Sequence, residues 1–167
     1  GEDFIDEAIR KGACVIVTSA DSDLKLDIPL IKDKNPRKYL SYISSIFFNN
    51  SPETVCAITG TNGKTSTTNF LQQIWNLMGL KSSSIGTLGI IGNEEIQDTN
   101  ITTPDPVLLH KTLEKLYNQS FTHLALEASS HGLSQYRIDN VKIRAAGFTN
   151  ISQDHLDYHK TMEEYFD

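Results

Sequence analysis

Cysteine is scarce in this chain, 2 among 167 residues. Cys14 and Cys56 stand far apart, each inside an apolar, strand-like run. They are expected as small core residues in a reducing compartment, not as a disulfide or a metal pair. Basic residues are in the minority: 15 Lys and Arg face 21 Asp and Glu, for a net charge of −6, and no basic block occurs. That removes the electrostatic footprint of a nucleic-acid binder. No apolar run approaches the roughly 20 residues that a membrane-spanning helix needs. The opening GEDFIDEAIRKG lacks the apolar core of a signal peptide. No internal repeat is evident. What remains, 38% hydrophobic and 22% charged residues, suits an ordinary soluble globular protein. Gly1 stands where a Met is usual, and Thr161-Met162-Glu163-Glu164 reads as a capping box that opens a helix about two turns from the end. Both ends are expected to be those of a piece of something longer.

Apolar periodicity outlines the order of elements. Phe4, Ile5, Ala8 and Ile9 have helical spacing up to Gly12. Residues 13–17 form a short, continuous apolar run, as in a buried parallel strand. Residues 28–31 read as a second strand. Pro36 opens a helix that carries Tyr39, Leu40, Ile43, Ile46 and Phe47 on one face. Ser51-Pro52 marks a boundary. Residues 55–59 then form a strand, and residues 64–78 a helix with Phe70, Leu71, Ile74, Leu77 and Met78 inward, closed by Gly79. Residues 82–91 are extended, with Gly92-Asn93 placed to turn a hairpin into Glu95-Ile96. Asp105-Pro106 supplies an N-cap and a first-turn proline to a helix with Leu109, Leu113, Leu116 and Tyr117 on its buried stripe. Residues 124–126 and 145–149 are further buried strands. Strands alternating with helices predict an α/β fold, a mostly parallel sheet with helices on both faces. Ligands collect at the carboxyl ends of such strands.

Three clusters fall at those ends. The first is Val55-Cys56-Ala57-Ile58-Thr59-Gly60-Thr61-Asn62-Gly63-Lys64-Thr65-Ser66. Glycines let successive amides turn inward toward anionic oxygens, the lysine offers a mobile cation for the β- and γ-phosphates, and the Thr65 hydroxyl suits Mg²⁺. Ile58 stands where the longer eight-residue form of this loop has its first glycine, so this is the G-x-x-G-K-T form. The second cluster is Glu127-Ala128-Ser129-Ser130-His131, with Gln135 and Arg137 after it. Glu127 suits a metal or water ligand opposite a triphosphate, or a plain salt-bridged carboxylate. The serines equally suit helix capping, and Arg137 either an anion clamp or a surface position. The third runs Asn150-Ile151-Ser152-Gln153-Asp154-His155-Leu156-Asp157-Tyr158-His159. Leu156 stands where a zinc protease needs Glu, and no third ligand is obvious, so Mg²⁺-linked phosphate chemistry is the better fit. Thr102-Thr103-Pro104-Asp105-Pro106 is a smaller candidate anion site at a helix start, or only its cap. His110 and His123 are expected to be structural.

The strings TGTNGKTS, TTPDP, EASSHGLSQYR and FTNISQDHLDYH, in this order, resemble the Mur ligases. Within that family they resemble the MurE branch. The resemblance implies a P-loop NTPase-like central domain, here partial. Residues 1–50 would be the end of an N-terminal UDP-binding domain and 51–167 the first part of the central ATP-binding domain. It implies ATP and Mg²⁺ as cofactors. It implies UDP-MurNAc-L-Ala-D-Glu and a diamino acid, diaminopimelate or lysine, as substrates joined through an acyl phosphate. By the same resemblance Gly60, Thr61, Asn62, Gly63, Lys64, Thr65, Ser66 and Asn150 serve the nucleotide. Thr65, Glu127 and His155 serve Mg²⁺, with Lys64, Glu127 and His155 as the catalytic set. Thr102, Thr103, Ser129, Gln135 and Arg137 hold the muramyl peptide. Ile101 replaces an Asn found in some members. The family's carbamylated lysine would fall just beyond Asp167, so this stretch alone is expected not to ligate. The intact enzyme is expected to be cytoplasmic, monomeric and without a membrane span. A nucleotide-binding module without ligase activity and a folylpolyglutamate-synthetase-like ligase are the alternatives; the acidic chain and EASSHGL favour the muramyl reading over folate.

Overall fold

In a computed structural model of the chain, residues 2–92, 102–153 and 158–166 are described. A short helix α1 (Ile5–Arg10) leads into two parallel strands, β1 (Ile16–Ser19) and β2 (Leu30–Asp33), which form a sheet of their own. Helix α2 (Pro36–Phe47) follows, its first turn capped by the Asn35 side chain, which accepts from the Lys38 N–H at 3.1 Å. Next come β3 (Thr54–Thr59), α3 (Lys64–Leu77), β4 (Ser82–Gly86), β5 (Gly89–Ile91), α4 (Pro106–Asn118), β6 (His123–Glu127), α5 (Ser130–Ser134), β7 (Ile143–Phe148) and α6 (Met162–Phe166).

The larger sheet has the order β5-β4-β6-β3-β7. Its pairs are parallel except the β4–β5 hairpin. The chain leaves β3 for β4 in one direction and returns from β4 to β6 in the other. Right-handed crossovers therefore put α3 and α4 on opposite faces. The α4 face is the apolar one. Leu109, Leu113 and Leu116 pack there against Val55 and Ala57 of β3, Leu124 and Leu126 of β6, and Ile85 of β4. In register these five strand residues share one side of the pleat. Asp105 caps α4 as expected, its Oδ1 accepting from the amides of Val107 at 3.0 Å and Leu108 at 3.1 Å.

The α3 face is built differently, and here the sequence expectation fails. Phe70, Ile74, Leu77 and Met78 are exposed, while Thr68 and Gln72 are buried. The reason lies in β4, whose buried run begins Ser82-Ser83-Ser84. A polar strand calls for a polar helix face: the Ser82 hydroxyl lies 2.8 Å from both the Gln72 carbonyl and Asn76 Oδ1, and its single proton serves one of them at a time. Helix α2 is arranged the same way. Leu40, Ile43, Ile46 and Phe47 are exposed, while Ser41 and Ser44 are buried on the side toward α4. Ser41 Oγ reaches the Asp139 carbonyl at 2.5 Å. Tyr117 also lies outside the α4 stripe, half exposed.

Four smaller expectations shift. Cys14 is exposed because it precedes β1, which starts at Ile16 in a sheet of only two strands; Cys56 is half-buried, and its burial pushes the thiol pKa up. β7 is a largely exposed edge strand, not a buried one. The hairpin turns earlier than expected, over Thr87 and Leu88, with Gly89 at φ +81°. The Glu95-Ile96 partner once expected for it lies outside the described residues. Gly79 does close α3, at φ +78°, with the Leu80 N–H returning to the Trp75 carbonyl at 2.9 Å.

His110 sits on the buried side of α4 with Nε2 unpartnered among the described residues. Burial lowers its pKa, partly opposed by a hydrogen bond to the Asp139 backbone. A histidine with a depressed folded pKa contributes stability that is present above its unfolded value of about 6.5 and lost as pH falls through the folded value. The melting temperature should therefore drop on acidification below about pH 6.5. His110→Gln should flatten that part of the pH profile, and an unchanged profile would show that His110 does not contribute to it.

Candidate functional site

The site lies where the connections reverse. α3 leaves the end of β3 on one face, α5 leaves the end of β6 on the other, and β3 and β6 are neighbours. A crevice at such a switch point is the standard ligand position in this architecture. Residues Thr61, Asn62, Gly63, Lys64, Thr65, Thr87, Thr102, Glu127 and Ser129 line a cleft there of about 250 Å³.

The loop after β3 depends on two glycines. Gly60 has φ +127° and Gly63, at the N-cap of α3, has φ +88°. A Cβ on Gly60 would stand 2.2 Å from Thr149 Oγ1 and 2.7 Å from the Asn150 carbonyl. The segment after β7 is thus packed directly on the loop. Thr149 Oγ1 donates to the Asn62 carbonyl at 2.6 Å, and the Thr61 N–H donates to the Asn150 carbonyl at 2.8 Å. The Asn150 amide group makes two bonds to Asn62, accepting from its N–H at 3.1 Å and donating to its C=O at 3.0 Å. Asn150 therefore shapes the loop. The Thr61 hydroxyl accepts from the Ser152 N–H at 2.9 Å and lies 3.0 Å from the Tyr165 hydroxyl. With the amides of Thr61 and Asn62 committed to Asn150, those opening α3 are left to face an anion. The Lys64 ammonium crosses the loop, donating to the carbonyls of Gly60 at 2.6 Å and Thr61 at 3.0 Å. Ser66 is exposed and lines no part of this cleft.

Across the crevice, Glu127 ends β6 with only 1% of its surface exposed. Its Oε2 accepts from Thr65 Oγ1 at 3.0 Å and Thr87 Oγ1 at 3.2 Å, and its Oε1 from the Thr87 N–H at 3.0 Å. No cationic side chain forms an ion pair with it among the described residues. A buried carboxylate beside a threonine hydroxyl is a hard-oxygen pair of the kind Mg²⁺ takes together with phosphate oxygens, so the residues present fit that ion. No cluster of three or more His, Cys, Asp or Glu exists among the described residues. His155 lies outside them. His159 is described: buried, with its ring 5.3 Å from that of Tyr165 and 4.8 Å from that of Tyr158.

Gly86 and Thr87 were not anticipated. A Cβ on Gly86 would fall 2.0 Å from Glu127 Oε1, so a side chain there would displace the carboxylate. The cue available in the sequence was the dipeptide at the end of an extended run. Its meaning required knowing that β4 pairs with β6, with Ile85 opposite Leu126.

The remaining candidates form a chain of contacts leading away from Glu127. Thr103 is fully buried; its hydroxyl donates to the Glu127 carbonyl at 2.9 Å and accepts from the Ser129 N–H at 2.9 Å. Thr102 is the member of the pair that lines the cleft, 3.0 Å from the Thr87 hydroxyl. Ser129 caps α5 through the Gly132 N–H at 3.1 Å. Arg137 donates from Nη1 to the Thr103 carbonyl at 2.8 Å and from Nη2 to Gln135 Oε1 at 2.8 Å. The structure thus brings together every described candidate except Ser66.

Comparison with known proteins gives the following. Residues 58–167 match the Mur ligase middle domain. The UDP-N-acetylmuramoyl-L-alanyl-D-glutamate–2,6-diaminopimelate ligase of Bradyrhizobium diazoefficiens is 46% identical over 165 residues, covering 99% of this chain and 34% of the relative. The ligase of the same name from Agrobacterium fabrum is 44% identical over 165 residues, with 99% and 33% covered. The chain therefore spans about a third of the length of the curated relatives it matches. A solved structure of a ligase of that name superposes with a TM-score of 0.81 at 30% identity, over 98% of this chain and 33% of the other. A MurF ligase from Thermotoga maritima, in complex with ADP, shares the fold at 23% identity and a TM-score of 0.57, over 99% of this chain and 35% of the other.

Gly86→Ala should destabilise the fold by about 1–3 kcal/mol, as overpacking does, because Glu127 must leave its three donors. Chemical denaturation reads this directly. A midpoint equal to that of the unchanged chain would show that Glu127 is not wedged against Gly86.

Proposed function

Because the chain belongs to the Mur ligase family, we propose that it is the ATP-gripping part of a MurE-type ligase, which joins diaminopimelate to UDP-MurNAc-L-Ala-D-Glu at the expense of ATP. The observation that carries this reading is the meeting of Thr65 and Glu127 at 3.0 Å across the β3–β6 crevice, beside the phosphate loop. The relatives' names supply the substrates, and diaminopimelate is preferred to lysine because both curated relatives and the solved ligase of the same name are named for it. The match of residues 58–167 to the middle domain supports reading 51–167 as the start of the central ATP-binding domain, and residues 1–50 are assigned in this reading to the end of a UDP-binding domain. No described helix is long and apolar enough to cross a membrane; in this reading the ligase works in the cytoplasm.

The chemistry follows from charge. Phosphoryl transfer to a carboxylate brings two anions together, so the site must offer cations and donors in fixed positions. The α3 amides and the Lys64 ammonium take the phosphate oxygens. Lys64 exchanges its bonds to two loop carbonyls for bonds to phosphate. Thr65 and Glu127 would hold Mg²⁺, which would neutralise charge on the phosphates. Thr87 orients Glu127 from both oxygens, and Asn150 keeps the loop in shape. Thr102, Ser129, Gln135 and Arg137 run from this site toward the muramyl peptide, with Thr103 as the buried strut between them. His155 serves the metal in this reading. Ligation is assigned to the whole protein, of which this chain is about a third by comparison with its relatives.

Mg-ATP should raise the melting temperature of the chain, since a ligand stabilises the state that binds it, by about 2.7 kcal/mol at a hundred times its Kd. Lys64→Ala should abolish the shift. Glu127→Gln should remove its dependence on Mg²⁺ while leaving weak binding of ATP itself. An Mg-ATP shift that survives in Lys64→Ala would overturn the assignment of the loop.

A further inference from the structure

The first turn of α2 carries charge that the helix does not favour. Pro36-Arg37-Lys38 holds two cations and no acid at the positive end of the helix dipole. Lys38 has compensation: its Nζ lies 3.9 Å from an Asp139 carboxylate oxygen and 5.7 Å from the centre of the Tyr136 ring. Arg37 has none. It is exposed and forms no ion pair among the described residues. Local rules broken without a compensating contact tend to mark functional positions.

Arg37 does have a place. It lines a cleft of about 230 Å³ between α2 and the start of α4, shared with Leu40, Asp105, Pro106, Gln135 and Arg137. The only acid in that lining, Asp105, has its Oδ1 committed to two α4 amides. On the far side Gln135 Oε1 holds Arg137 at Nε, 3.2 Å, and Nη2, 2.8 Å. The two guanidinium groups act on common ground. The Tyr158 phenol pKa is lowered first by hydrogen bonds to Ser134 and Gln135, and the charges of Arg37 and Arg137 both add to that lowering. A cleft with two arginines and one engaged acid selects an anion, and guanidinium groups suit the paired oxygens of a carboxylate or phosphate.

We propose that Arg37 is a substrate-binding residue, gripping together with Arg137 one anionic group of the UDP-muramyl peptide. This rests on the muramyl reading above and extends it to α2, outside the matched middle domain. The chain of contacts Glu127–Thr103–Arg137 then ends on a residue of α2, so the substrate itself would tie the two sheets' segments together.

The test is steady-state kinetics on the full-length protein with Arg37→Ala and Arg37→Lys. In Arg37→Ala the KM for UDP-MurNAc-L-Ala-D-Glu should rise about ten- to a hundredfold, the scale of a lost charge-assisted pair. The KM values for ATP and diaminopimelate and the melting temperature should stay as they were. Arg37→Lys should recover part of the loss, because an ammonium keeps the charge without the fork. The nucleotide-free MurNAc-dipeptide separates the two anion sources: a penalty that persists with it assigns a carboxylate, and one that vanishes assigns a phosphate. An unchanged muramyl KM in Arg37→Ala would overturn the proposal, as would an equal rise in all three KM values with a fall in melting temperature. Failure of the unsubstituted protein to turn over UDP-MurNAc-L-Ala-D-Glu would instead overturn the muramyl reading itself.

Discussion

One buried carboxylate sets the terms for the rest of the site. Glu127 ends the strand at the middle of the sheet, with β4 on one side and β3 on the other. Burying a charge without a counter-charge is costly unless donors surround it. Thr65 at the start of α3 and Thr87 in the β4–β5 turn provide them. Each donor reaches Glu127 only because of strand order: β3 must lie beside β6 to deliver the loop, and β4 must lie beside β6 to deliver the turn. Gly86 must lack a side chain for the same reason. Fold and chemistry meet in a single group.

The sequence showed the loop and the helix caps clearly, because their physics is local. Glycine at positive φ, a lysine after it, and Asp105-Pro106 before a helix all act within a few residues of themselves. Glu127, Ser129, Gln135 and Arg137 stood out by residue type and position, but their connection did not. The contact of Arg137 with the Thr103 carbonyl spans 34 residues of chain, and the contact of Thr65 with Glu127 spans 62. Thr87 and Gly86 were missed because their importance depends on strand pairing, which a single sequence does not print.

The apolar face of α3 was misjudged for a different reason, and α2 shows the same arrangement. Periodicity reports that a helix has two unlike faces, but not which of them turns to this sheet. Here the faces with Ser41 and Ser44, and with Thr68 and Gln72, turn inward. The serines of β4 are the clue: small hydroxyl side chains on a central strand allow close helix approach and demand hydrogen-bond partners. Leu40, Ile43, Phe70 and Ile74 are left outward. The α4 face followed the simple rule because β3 and β6 present Val, Ala and Leu there.

The clamp between the loop and the segment after β7 has a consequence for how the molecule breathes. Thr61 and Asn62 are tied to Asn150, Thr149 and Ser152 by bonds that span about 90 residues of chain. Neither segment can open while the other stays closed without leaving several backbone groups unpaired. The amides of Thr61, Asn62 and Ser152 should therefore exchange hydrogen with solvent as one cooperative unit. In that sense the loop has two anchors, its own helix and the neighbouring edge strand β7, and its stiffness is a property of the pair.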